Sequence, residues 1–82
     1  MKHQIMAIKI NGIRQHAVPV QEVLTEHGCL IQTRLGFHES SGMICSDTGL
    51  IILLLQDKSD EIKVFQNALH KIDGVSTAII SL

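Results

Sequence analysis

Six consecutive apolar residues, Leu50-Ile51-Ile52-Leu53-Leu54-Leu55, constrain the fold of this chain more than any other stretch. Successive side chains of a β-strand point to opposite faces of the sheet, so a strand wetted on one side alternates apolar and polar residues. No alternation occurs here, and both faces of this strand therefore need cover. Helices on both sides of a parallel sheet would supply it, but the pattern along the chain predicts only two helices, enough for one face. The second face is expected to be covered by another copy of the chain, which makes an obligate homo-oligomer the first expectation.

Size and charge narrow the classes further. At 82 residues the chain is expected to form a single domain, 1–82, near the length at which one core yields only a few kcal/mol of net stability. Seven Lys and Arg against eight Asp and Glu leave no basic stripe to neutralise phosphates. Two Phe with no Trp or Tyr provide no stacking platform for single-stranded nucleic acid, so direct nucleic-acid binding is not expected. Residues 1–10 lack the apolar centre of a signal peptide, and the 50–55 run is far short of the ~20 residues of a membrane helix. A cytoplasmic chain without a membrane partner is the expectation, with Cys29 and Cys45 as reduced thiols.

Residues 5–10 read as a first strand, with Met6, Ile8 and Ile10 on one face and Ile5, Ala7 and Lys9 on the other. Asn11-Gly12 marks a turn. Pro19 fits a helix only in its first turn, which places the ordered helix near 18–27, with Val20, Val23, Leu24 and His27 on its apolar side and Gly28 as its stop. Residues 29–37 read as a second strand, with Arg34 on the face awaiting the partner. The Ser, Gly and Asp content of 38–48 reads as a loop, and 49–56 as the third strand. Ser59 is the expected N-cap of a second helix that carries Asp60 and Glu61 in its first turn and Ile62, Phe65, Leu69 and Ile72 along one face. Asp73-Gly74 ends that helix, and 75–82 form a last strand.

Strand, helix, strand, strand, helix, strand is the order of the α+β ferredoxin-like βαββαβ sandwich: a four-stranded antiparallel sheet with both helices on one face and strands one and three in the centre.

With the elements placed, a set of residues becomes familiar: Thr33-Arg34-Leu35-Gly36-Phe37-His38-Glu39, then Cys45, then Gly49-Leu50-Ile51-Ile52-Leu53, then Asp73-Gly74-Val75. Over nearly its whole length the chain resembles the iron-only hydrogenase system regulators, a family with an ACT-like fold related to the C-terminal domain of the nickel-responsive repressor. The resemblance implies a homodimer or homotetramer with sheets packed face to face, acting as a regulator.

The densest group of chemically able residues is His38, Glu39 and Cys45. Imidazole and thiolate suit nickel, zinc or cobalt, and two subunits together could complete a four-ligand site. The bland reading is that His38 and Glu39 are exposed loop residues and Cys45 a small buried thiol. The nickel-responsive relative carries a His-x-His pair where Gly36 precedes His38 here, so its ligand set does not transfer residue by residue. No nucleophile with an evident oxyanion hole and no phosphate-binding glycine loop occurs, so catalytic residues are not assigned. The expected activity is that of a non-catalytic regulatory or ligand-sensing module. Its small ligand would sit by Arg34, Gly36, His38 and Glu39 at a subunit interface, with a nickel- or zinc-type sensor or chaperone using His38 and Cys45 as the alternative. No cofactor is specified by the sequence.

Overall fold

The computed structural model describes residues 2–41 and 44–82, with the side chains of residues 37–47 outside the description. Strand β1 (Gln4–Asn11) leads into helix α1 (Ile13–Glu26), a 3₁₀ turn (Gly28–Leu30), strands β2 (Ile31–Ser41) and β3 (Ile44–Leu55), helix α2 (Ser59–His70) and strand β4 (Val75–Ser81). The sheet order is β2-β3-β1-β4 and every pairing is antiparallel. This is the ferredoxin-like α+β arrangement, with β1 and β3 in the centre as the pattern of apolar runs requires.

Alternation along β1 and β3 decides which face is dry. Met6, Ile8 and Ile10 on β1 and Ile51, Leu53 and Leu55 on β3 pack with Val20, Leu24, Ile62, Phe65 and Leu69 of the helices into one core. Both amphipathic helices therefore spend their apolar sides on the same face of the sheet. Among the described residues no helix covers the other face.

Five local expectations are corrected. Helix α1 begins five residues earlier than the position of Pro19 suggests, and Pro19 lies inside it. The ring at position 19 leaves the Gln15 carbonyl without its helical donor, a cost met because the turns before Pro19 seat Ile13 against the core and those after it bury Val20 and Leu24. Pro19→Ala restores the donor and should raise the unfolding free energy in urea by about 1–2 kcal/mol, a gain reduced by the extra freedom of the unfolded chain. Gly28 is not a left-handed cap; Gly12 and Gly74 are the glycines with positive φ among the described residues.

The segment read as a loop, 38–48, belongs largely to two strands, for β2 runs to Ser41 and β3 starts at Ile44. Ser, Gly and Asp mark loops only by correlation, whereas strand state follows from ladder pairing with a neighbour, here Ser40 with Cys45 and Ser41 with Ile44. Helix α2 includes Ser59 as its first residue, preceded by Lys58 without a side-chain cap bond. Its first turn carries Asp60 and Glu61 as expected, and Lys58 pairs loosely with Glu61 at 3.9 Å on the surface.

The fifth correction concerns Arg34. The β2 register slips between Ile31 and Thr33: Ile31 pairs with Leu55, Thr33 with Leu54 and Arg34 with Leu53. Directly paired residues of an antiparallel ladder share a face, so the extra residue turns Arg34 to the side of Leu53, the helix side. Leu35, paired with Ile52, takes the uncovered side instead.

Candidate functional site

Two surfaces of the sheet remain after the core is assigned. The first is its uncovered face. Ladder pairing puts Ile5, Ile52 and Leu54 on this side at the centre, with Leu35 on β2 and Ile80 on β4 towards the edges. Leu35 is 56% exposed and Ile80 53% exposed, while Ile52 and Leu54 are half-buried by their neighbours alone. A contiguous aliphatic patch across all four strands is the kind of surface that marks an interaction site on a small protein.

The second surface is a cleft on the helix side, where α1 packs on β1 and β3 and leaves the inner side of β2 partly uncovered. Ile13, Ala17 and Gln21 recur every fourth residue and so form one stripe along α1. That stripe faces Arg34 and Gly36 of β2 and Gly49 and Ile51 of β3, with Ile10 at the floor, enclosing ≈ 270 Å³. Ile10 and Ile51 are buried, whereas the Arg34 side chain is exposed at the rim. Among the described residues Arg34 makes no ion pair. Gly36 has an ordinary extended φ, and a Cβ placed on it would meet nothing within 4 Å. Neither the backbone nor a neighbour demands a glycine there.

A polar clasp joins the chain's two ends of the sheet. Ser81 Oγ donates to Gln4 Oε1 at 2.6 Å, and the buried Gln4 amide donates through Nε2 to Asp57 Oδ1 at 2.9 Å. The Lys2 backbone N–H reaches Asp57 Oδ2 at 3.4 Å. The Gln4 hydrogen bond, helped by the Lys2 N–H, holds the Asp57 carboxyl below its ordinary 3.8. A carboxylate depressed in the folded state adds stability above its unfolded pKa, and that stability is lost as pH falls through the folded value. Acid unfolding of Asp57→Asn should therefore be less steep than that of the parent below about pH 4, read by circular dichroism, with the two proteins differing most near neutral pH.

Of the residues expected to make a site, Arg34 and Gly36 do line one cleft. His38, Glu39 and Cys45 have side chains outside the described residues; the ladder sets His38 opposite Gly49 and Cys45 opposite Ser40, at different levels of the hairpin. No cluster of three or more His, Cys, Asp or Glu suited to a metal occurs among the described residues. Three other histidines have structural partners. His16 Nδ1 bonds the Asn11 carbonyl at 3.0 Å, His27 stacks on Phe65 at 5.0 Å between ring centres, and His70 Nε2 lies 2.7 Å from Thr77 Oγ1. The cleft residues missed from sequence are Ile13, Ala17 and Gln21. Their four-residue spacing is the available signal, hidden when the need to seat Pro19 in a first turn confines the helix to 18–27.

Neither a protein-family model nor a curated protein matches the chain. Among solved structures, an uncharacterized protein from Thermotoga maritima superposes with a TM-score of 0.85 at 23% identity, covering 100% of this chain and 99% of that one. A nitrogen regulatory PII-like protein from Thiomonas intermedia, bound to ADP, AMP and bicarbonate, gives a TM-score of 0.57 at 14% identity, covering 100% and 93%. A dimeric ferredoxin-like protein from an uncultured marine organism gives 0.58 at 8% identity, covering 99% and 92%. These likenesses establish the ferredoxin-like fold. Among the described residues no helix is long and apolar enough to cross a membrane.

Proposed function

We propose that residues 1–82 form one ACT-like unit that works as a homo-oligomeric, non-catalytic ligand-sensing module in the cytoplasm. The observation that carries this reading is the uncovered aliphatic sheet face, for which a second copy of the same face is the self-complementary cover. The assignment to regulation of an iron-only hydrogenase system comes from the resemblance of the segments 33–39, 45, 49–53 and 73–75 to that family of regulators. The dimeric ferredoxin-like neighbour and the nitrogen regulatory neighbour support self-association and sensing as uses of this fold. With seven Lys and Arg against eight Asp and Glu, such a regulator acts on transcription or on the hydrogenase system through a partner protein. A ligand shifts such an assembly only by its difference in affinity for two arrangements.

The test is a thermal unfolding screen of tag-free protein against small organic anions, nucleotides, Ni²⁺ and Zn²⁺. A sensor should show a saturable rise in midpoint with one class; at one hundred times Kd the gain is about 2.7 kcal/mol. A rise with Ni²⁺ or Zn²⁺ that disappears in Cys45→Ser would favour the metal-holding alternative through His38 and Cys45. A flat response to all of them would contradict sensing and reduce the protein to an oligomerisation module.

A further inference from the structure

We propose that the helix-side cleft binds a small organic carboxylate with a branched aliphatic body and no ammonium group, its carboxylate on Arg34 and its carbon skeleton over Gly36. This deepens the sensing reading and rests on it only for the ligand's biological use.

Four features of the cleft select that class. The guanidinium of Arg34 is a planar, permanently charged fork that matches a carboxylate with two parallel hydrogen bonds, and among the described residues no acid is paired with it. Gln21 on α1 also lines the cleft, and its amide offers a further donor. Among the described residues no Asp or Glu lines the cleft, so a ligand ammonium would be desolvated there without a counter-charge from them. Ile10, Ile13 and Ile51 make the remaining walls aliphatic, with no aromatic ring among the described lining residues to stack a base, and ≈ 270 Å³ lies below the volume typical of pockets for drug-sized ligands.

The glycine at position 36 supplies an independent indication. Glycine inside a strand is costly, and here neither a positive φ nor a crowding neighbour requires it. What glycine does provide is open space beside Arg34, which any side chain would occupy at the expense of a ligand body. The cleft also lies on the opposite side of the sheet from the aliphatic patch, so pairing two sheets leaves it accessible. Ile51 touches the cleft while Ile52, next along β3, faces the expected partner, which couples the ligand to the assembly through one strand.

Isothermal titration of tag-free protein with isocaproate tests this, with isocaproamide, leucine and acetate as comparisons and subunit mass measured in parallel. Isocaproate should bind with a saturable heat. The neutral amide should bind roughly ten-fold or more weakly through loss of the charged hydrogen bonds, leucine should bind more weakly than isocaproate, and acetate should be weakest for want of a body. Arg34→Gln should cost roughly 10- to 100-fold while Arg34→Lys recovers part of it, and Gly36→Val should abolish binding with the unfolding midpoint kept. Absence of isocaproate binding into the millimolar range, equal binding of the amide, tighter binding of leucine, or an Arg34→Gln variant that binds as the parent would each overturn the proposal. An oligomeric mass without binding sinks the ligand class alone, whereas a monomeric mass with binding sinks the assembly and leaves the cleft.

Discussion

Ile52→Glu should yield a folded protein that sediments as a single subunit. Ile52 pairs across the ladder with Ala7 and Leu35, at the centre of the uncovered face, and takes no part in the helix-side core. In an isolated subunit the new carboxylate stays in water, so helix content and the core around Phe65 should be unchanged. In a face-to-face pair the symmetry brings two such carboxylates into the apolar contact, each desolvated without a partner, at several kcal/mol apiece. Subunit affinity should fall by roughly three to four powers of ten, read as the dependence of mean mass on concentration. Ile52→Val, which keeps the surface apolar, should leave the mass as it is. If Ile52→Glu kept the parent's mass, the sheet face would not be the contact.

Gly74→Ala should be the most damaging single methyl group that can be added to this chain among the described glycines. Gly74 closes the turn between α2 and β4 at φ 78°, in the left-handed region, where a Cβ costs about 1–2 kcal/mol. Its carbonyl also accepts from the Asn11 N–H at 2.8 Å, which draws this turn against the β1–α1 turn. A Cβ on Gly74 would lie 2.6 Å from the Asn11 carbonyl oxygen and 2.9 Å from His16 Nδ1, the two atoms already joined by their own hydrogen bond. A backbone carbonyl in a strand cannot yield cheaply, so the turn must shift and both bonds weaken. The expected loss is about 2–4 kcal/mol, or on the order of 10 to 20 °C in midpoint for a chain of this size. Gly12→Ala separates the two causes, because at φ 68° it meets nothing closer than 3.5 Å and should show the conformational cost alone. Equal losses in the two variants would show that the close approach at Gly74 carries no energy.

The contrast between Leu53 and Arg34 shows what the sequence could and could not reveal. Apolar periodicity placed Met6, Ile8, Ile10, Phe65 and Leu69 in the core, and the unbroken run at 50–55 announced a strand whose two faces are both apolar, because burial is written directly in side-chain type. Arg34 could not be placed that way. Its face depends on a register slip near Gln32, and a slip leaves no mark in composition while reversing every later side chain. The extended hairpin escaped for a related reason: Ser, Asp and Gly residues disguised strands whose pairing is a long-range fact. Pro19 hid the first half of α1, and with it the Ile13, Ala17 and Gln21 side of the cleft. Only Gly36 and Arg34 of that site stood out in the sequence; the side chains of His38, Glu39 and Cys45 lie outside the described residues.

Sedimentation equilibrium of the unmodified protein at micromolar concentration tests most directly whether the aliphatic sheet face exists to be paired. The account predicts a mass that is a whole multiple of the 9.0 kDa chain, two subunits or more, falling only on further dilution. A cooperatively folded particle of 9.0 kDa that persists across that range would contradict it.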